Sequence, residues 1–389
     1  MSLLQRLRPA ALAAPESGIV AVINHARGRE GLIPLWAGEG DLPTPAFIAD
    51  AAAQSLRDGE TFYTWQRGIP ELRQAIAGYI ERLYGRSTSA DRVFVTGSGM
   101  HAIQLVLTAL AGEGDEVVFV SPLWPNFAAA AGVCGARAVE VALNWDGAAW
   151  QLDLDRLRDA ITPRTRAIFV NTPNNPTGWT ADAATIQSIL GIAREAGVFV
   201  VADEIYSRFF YAGARAPSFH DAMTDEDALV FVNSFSKNWA MTGWRVGWIE
   251  APAAFGQLIE NLVQYSNSGV ATFMQRGAVA AIEQGEAFVA SQVARASEAR
   301  RIFTGALAAT NRVSIAPPDG AFYAFFAIDG IDDGMQAALR IADEALVGLA
   351  PGAAFAPTTP GYLRACFHRR LDQVEMSAAR LVEWIGRQP

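Results

Sequence analysis

The sequence predicts an α/β fold built on a mostly parallel sheet, followed by a smaller α+β part. Three observations predict it. Between about residues 70 and 250, short β-branched apolar runs alternate with stretches of helical period. These runs are continuously apolar, as in strands covered on both faces. The out-of-character polar residues fall just beyond the carboxyl ends of the runs, where open α/β sheets bind their ligands.

Seven strands are expected, at 93–95, 117–120, 138–141, 167–170, 198–202, 229–232 and 246–249. Helical periods at 71–84, 102–110, 126–132 and 182–196 lie between several of them, which makes βαβ units. After about residue 272 the pattern changes. Long helices at 273–284 and 287–309 lead to the apolar run 321–327, a helix near 335–346, a strand at 362–367 and a terminal helix at 371–385. The chain is therefore expected to divide into an N-terminal segment 1–46 that joins the small part, a large ligand-binding domain 47–271 and a small domain 272–389.

Composition narrows the function classes. With 389 residues, 51% hydrophobic and 18% charged, the chain can bury a large core. A net charge of −9 argues against a nucleic-acid or anionic-membrane partner. Residues 1–15 hold no continuous apolar stretch of the kind a secretory signal needs, so a cytoplasmic protein is expected. No metal site is expected: Cys134 and Cys366 lack ligand spacing and read as packed residues. His25, His101, His220 and His368 form no visible cluster; His101 falls in the helix after a glycine turn, and the others read as structural or surface residues.

Five strand ends carry the chemistry. Thr96-Gly97-Ser98-Gly99 is a glycine turn opening a helix, a phosphate cradle built from backbone amides. Read as a dinucleotide site it would want a ribose-binding acid at the end of the next strand, and Val120-Ser121-Pro122 has none. Trp124 follows that strand, as core or as a platform for a flat ring. Asn175 lies in the turn Asn174-Asn175-Pro176-Thr177-Gly178. Asp203 ends an apolar strand, where a carboxylate is costly unless paired. It could cap a helix, form a structural ion pair or hold a protonated ring nitrogen. Tyr206 follows it.

The fifth end, Ser234-Phe235-Ser236-Lys237, contains the one lysine of the chain; the other 30 of its 31 basic residues are arginine. Arginine stays charged, whereas a buried lysine can be neutral and form a Schiff base with a carbonyl. Codon bias towards arginine with one chance survivor is the alternative, and the count alone does not choose.

The residues taken together resemble the class I/II aminotransferases, fold type I pyridoxal-phosphate enzymes, from about Leu35 to Phe367. The resemblance is carried by AGEGDLPTP at 37–45, YTWQRGIPELR at 63–73, TGSGMHA at 96–102 and NNPTG at 174–178. It continues in DEIY at 203–206, SFSKNWAMTGWRVGW at 234–248 and YLR at 362–364.

It implies a fold type I large domain with a seven-stranded sheet. Lys237 would be the Schiff-base lysine and proton carrier, Asp203 the partner of the pyridinium nitrogen, and Trp124 the stacking ring. Asn175 and Tyr206 would bond the phenolic oxygen. Amides of Gly99 and Met100, hydroxyls of Ser234 and Ser236, and Arg245 would hold the phosphate. Tyr63 would reach the phosphate of a neighbouring subunit, implying a homodimer with shared sites. Arg364, helped by Gly38 and Asn175, would clamp the substrate α-carboxylate.

The implied reaction moves an amino group from an amino acid to a 2-oxo acid by a ping-pong course. Some aspartate-preferring relatives carry lysine at the position of Met100; its absence here leans towards neutral or aromatic substrates. Arg67, Arg27 and Arg29 could replace it but read as surface arginines. A β-eliminating lyase, for example one that cleaves a C–S bond, would share every cofactor residue. A non-catalytic binding module is disfavoured because every expected catalytic position is filled.

Overall fold

A computed structural model describes residues 3–388. All seven expected strands form: β1 (Val93–Thr96), β2 (Glu116–Ser121), β3 (Arg137–Ala142), β4 (Thr165–Asn171), β5 (Phe199–Asp203), β6 (Leu229–Ser234) and β7 (Gly247–Glu250). They make one sheet in the order β1-β7-β6-β5-β4-β2-β3. The pairs β2–β3, β2–β4, β4–β5 and β5–β6 are parallel, whereas β7 runs antiparallel to both β1 and β6. An apolar run has no readable direction, so sequence did not distinguish β7.

Both faces of the sheet are covered, which is why its strands are apolar throughout. Phe119 and Phe169 point into one cluster with Phe94, Ile103 and Phe127. Their neighbours Val118, Val120, Ile168 and Val170 point into the other, against Ile186, Ile189 and Leu190. The connecting helices are Pro70–Tyr84, Gly99–Leu110, Asn126–Cys134 and Ala183–Ala196. The second of these begins three residues earlier than its periodicity predicted, inside the glycine turn, with the Ser98 hydroxyl accepting from His101 N at 2.9 Å.

The later half contains Thr272–Gln284, Glu286–Ala308, Gly334–Glu344 and Leu371–Gly386 as helices. Val313–Ile315, Tyr323–Ile328, Tyr362–Cys366 and Ala350–Pro351 form an antiparallel sheet. Near the N-terminus, Ile33–Pro34 pairs in parallel with Val347–Gly348. Helices Gly18–Ala26, Ala46–Arg57 and Gly256–Ser266 had no counterpart in the sequence reading. Ala46–Arg57 is alanine-rich and buries only Ile48, Ala52 and Ser55, a weak periodic signal. Among the described residues no helix is long and apolar enough to cross a membrane.

Candidate active site

The carboxyl ends of β1, β2, β4, β5 and β6 open into one cleft of about 410 Å³, closed on its far side by the strands that carry Tyr323 and Arg364. Every residue singled out for cofactor or substrate lines it except Tyr63. Tyr63 is 94% exposed and lies outside this cleft.

The glycine turn is built for close approach. Ser98 takes the N–H groups of His101 and Ala102, leaving the amides of Gly99 and Met100 as the open end of the helix. A Cβ on Gly99 would sit 3.3 Å from Ser234 Cβ, and one on Gly247 only 2.7 Å from Gly99 N. β6 and β7 are thus pressed against the turn. This brings the Ser234 hydroxyl, 2.8 Å from that of Ser236, to the same end of the cleft. Arg245, in the left-handed region at φ 55°, joins them there. It makes no ion pair among the described residues, and its guanidinium donates to Thr242 O at 2.5 Å.

Asp203 and Asn171 are register partners on β5 and β4. Asn171 Oδ1 accepts from Asn175 N at 2.8 Å and so fixes the turn that carries Asn175. The Asp203 carboxylate accepts from Ile205 N at 3.3 Å, its backbone carbonyl takes Thr172 N and Asn171 Nδ2, and no basic group pairs with it among the described residues. Burial accordingly pushes its carboxyl up to about 7. Neither the helix cap nor the structural ion pair considered from sequence is present.

Lys237 is partly buried and donates to Gly38 O at 2.6 Å. Loss of solvent lowers its ammonium to about 8, against the pull of the nearby Cys366 and Glu39. Arg364 is 1% exposed. Its guanidinium donates to Trp36 O and to Asn175 Oδ1, the latter at 3.3 Å, while Nε has no partner. No carboxylate pairs with it among the described residues. An uncompensated buried cation is costly, which marks a place for an anion.

Ile19 and Val20 from the helix Gly18–Ala26, with Trp36, Met100, Leu123 and Trp124, form an apolar part of the wall, which Ser17, Glu39, Asn126 and Thr242 also line. Arg67 pairs with Glu260 at 2.9 Å, Arg29 with Asp343 at 2.6 Å, and Arg27 bonds Asn24. None of the three lines the cleft. No group of three or more His, Cys, Asp or Glu is placed to hold a metal among the described residues. Sequence reading gave no role to Trp36, Glu39, Asn171 or Tyr323, all of which line the cleft. The available signal for Tyr323 was a phenol opening an apolar strand, which must find a partner when buried.

Comparison with known proteins gives the family. A family model described as aminotransferase class I and II matches residues 30–381. A probable aspartate/prephenate aminotransferase of Aquifex aeolicus is 33% identical, over 92% of this chain and 90% of its own length. An aromatic-amino-acid aminotransferase of Thermococcus litoralis is 30% identical, over 94% of each. In three dimensions the chain is similar to an aspartate aminotransferase of Thermotoga maritima, with a TM-score of 0.92, 28% identity and coverage of 98% and 100%. With the fold, the lysine motif and these matches in agreement, the chain belongs to the class I and II aminotransferase family.

Proposed function

We propose that the chain is a cytoplasmic pyridoxal-phosphate aminotransferase that moves an amino group from a neutral or aromatic amino acid to a 2-oxo acid. One observation carries this reading: Lys237, Asp203 and Arg364 meet in one cleft with no ion-pair partner for any of them among the described residues. A structural core would have neutralised them.

The residues suit the cofactor. Gly99 and Met100 amides, the Ser234 and Ser236 hydroxyls and Arg245 would hold its phosphate. Asp203 would pair with the ring nitrogen, Asn175 and Tyr206 with the phenolic oxygen, and Trp124 would cover a ring face. Bound there, pyridoxal phosphate supplies an aldehyde carbon that joins amines and a ring that draws electrons from the substrate Cα. Lys237, its basicity lowered by burial, would take the proton from the substrate Cα and return it to the cofactor side of the bond. Arg364, with Gly38 and Asn175, seats the α-carboxylate and so fixes which bond is presented to Lys237.

The course is ping-pong: the donor leaves as its 2-oxo acid before the acceptor enters. The apolar part of the cleft wall, and the absence among the described residues of any cleft-lining arginine beyond Arg245 and Arg364, support the substrate lean. The same reading divides the chain at 46/47 and 271/272 and makes it a homodimer, with Tyr63 completing the neighbour's site. Phe62, Tyr63, Trp65 and Tyr265 are 85, 94, 63 and 86% exposed, and a Gln66–Gln264 hydrogen bond draws their two segments together. Such an aromatic patch fits a face covered by a second copy.

Incubation with an amino acid alone tests the reaction. One 2-oxo acid per site, then arrest until a 2-oxo acid is added, is the expected result. Continuous release of 2-oxo acid and ammonia would establish the eliminating lyase instead.

A further inference from the structure

Tyr323 lies in none of the motifs that carry the family resemblance, yet it touches three residues that do. It opens the strand Tyr323–Ile328 and is fully buried. Its hydroxyl lies 2.7 Å from that of Tyr206. Its ring centroid lies 4.7 Å from the guanidinium carbon of Arg364. Tyr323 pairs with Cys366 and Phe325 with Arg364, so the phenol and the guanidinium are diagonal neighbours on one face of the small sheet. A Cβ on Gly38 would come within 2.7 Å of the Tyr323 oxygen. The missing side chain at Gly38 is therefore what lets the phenol reach Tyr206.

A hydroxyl has one proton to donate. When Tyr206 gives its proton to the cofactor's phenolic oxygen, the proton in the 2.7 Å contact must come from Tyr323. A bond received polarises the donor and strengthens the bond it gives onward. At the other edge of the ring, the π-face steadies a buried cation that lacks a carboxylate.

We infer that Tyr323 is a positioning residue joining the two ends of the site: its hydroxyl directs the Tyr206 proton towards the cofactor, and its ring seats Arg364 for the substrate carboxylate. This inference rests on the proposed function. Besides Tyr323 itself, the titratable and charged groups facing Lys237 and Tyr206 are Asp203, Glu39, Arg245, Arg364 and Cys366, and the variant below changes none of these five.

The test is a pH titration of the visible absorbance of the enzyme loaded with pyridoxal phosphate, which follows the proton on the lysine–cofactor link. Tyr323→Phe keeps the ring and removes the hydroxyl. Its midpoint is expected to rise by about 0.5–1 pH unit, the size of one weakened hydrogen bond to a charged acceptor. KM for a good amino donor is expected to change less than about threefold, because the ring stays beneath Arg364. In a Tyr206→Phe background the same substitution is expected to leave the midpoint where it is. An unmoved midpoint in Tyr323→Phe with native circular dichroism, or an equal shift in both backgrounds, overturns the inference. A wild type with no visible band overturns the cofactor reading itself, and this inference with it.

Discussion

Asp203 and Glu204 are adjacent carboxylates at the end of one strand, both buried, and the protein treats them in opposite ways. Glu204 accepts from Ser218 Oγ at 2.6 Å and Phe219 N at 2.9 Å, and His220 Nδ1 stands 3.9 Å away. His220 in turn bonds Glu250 at 2.8 Å through Nε2 and stacks between Tyr84 and Phe231. Burial alone would lower the His220 imidazolium, but the two carboxylates outweigh it and push it up to about 9. One residue earlier, the Asp203 carboxylate has a backbone donor and no ion pair among the described residues. Successive strand residues point to opposite sides, so one faces packed interior and the other the cleft. On the proposed function, the difference separates structural charge, compensated by the chain, from charge left for a ligand.

The largest break in this comparison comes from Lys237→Ala. Turnover should fall by roughly 10⁴-fold or more, as on loss of a covalent nucleophile. Circular dichroism should stay native, since no ion pair is lost. Next is Arg364→Leu. Removing a charge-assisted clamp should lower kcat/KM by roughly 10²–10³-fold, mostly through KM. Steady-state kinetics with a carboxylate-bearing donor checks it.

His220→Gln should do the reverse, sparing kcat within about threefold while lowering Tm by several degrees at pH 7, because Glu204 and Glu250 lose their shared cation. The sign of its pH dependence follows from a folded-state value raised from 6.5 to about 9. That stabilisation is complete below about pH 6.5 and fades as pH rises through 9. Wild-type Tm should therefore fall between pH 7 and pH 10, and the gap to the variant should narrow. Met100→Lys is the mildest change, adding a cation to the cleft that Met100 lines. It should raise the aspartate-to-phenylalanine ratio of kcat/KM by about tenfold, one exposed-to-partly-buried ion pair's worth.

Much of this was legible in the chain, for physical reasons that can be named. The seven strands read correctly because strands covered on both faces must be apolar and β-branched along their length. The cleft residues were found because a parallel sheet gathers its strand ends wherever the helices fall. Lys237 stood out because arginine can replace every role of lysine except loss of a proton. What stayed hidden was non-local. His220 read as structural or surface, since its partners Glu204 and Glu250 lie on other segments. Tyr323 gained its meaning from Tyr206, more than a hundred residues away. Glu204 received no role from sequence, because its partners Ser218 and Phe219 come to it only through the fold.

The claim that uncompensated burial marks the site is tested most directly by the melting temperatures of two neutral variants of the cofactor-free enzyme at pH 8. The Asp203 carboxyl, raised from 3.8 to about 7, costs stability that is absent below about pH 4 and fully present above 7. Asp203→Asn should therefore melt a few degrees above wild type at pH 8. Glu204→Gln, which weakens the anchor of His220, should melt several degrees below it. Shifts of the same sign in both variants would contradict the account.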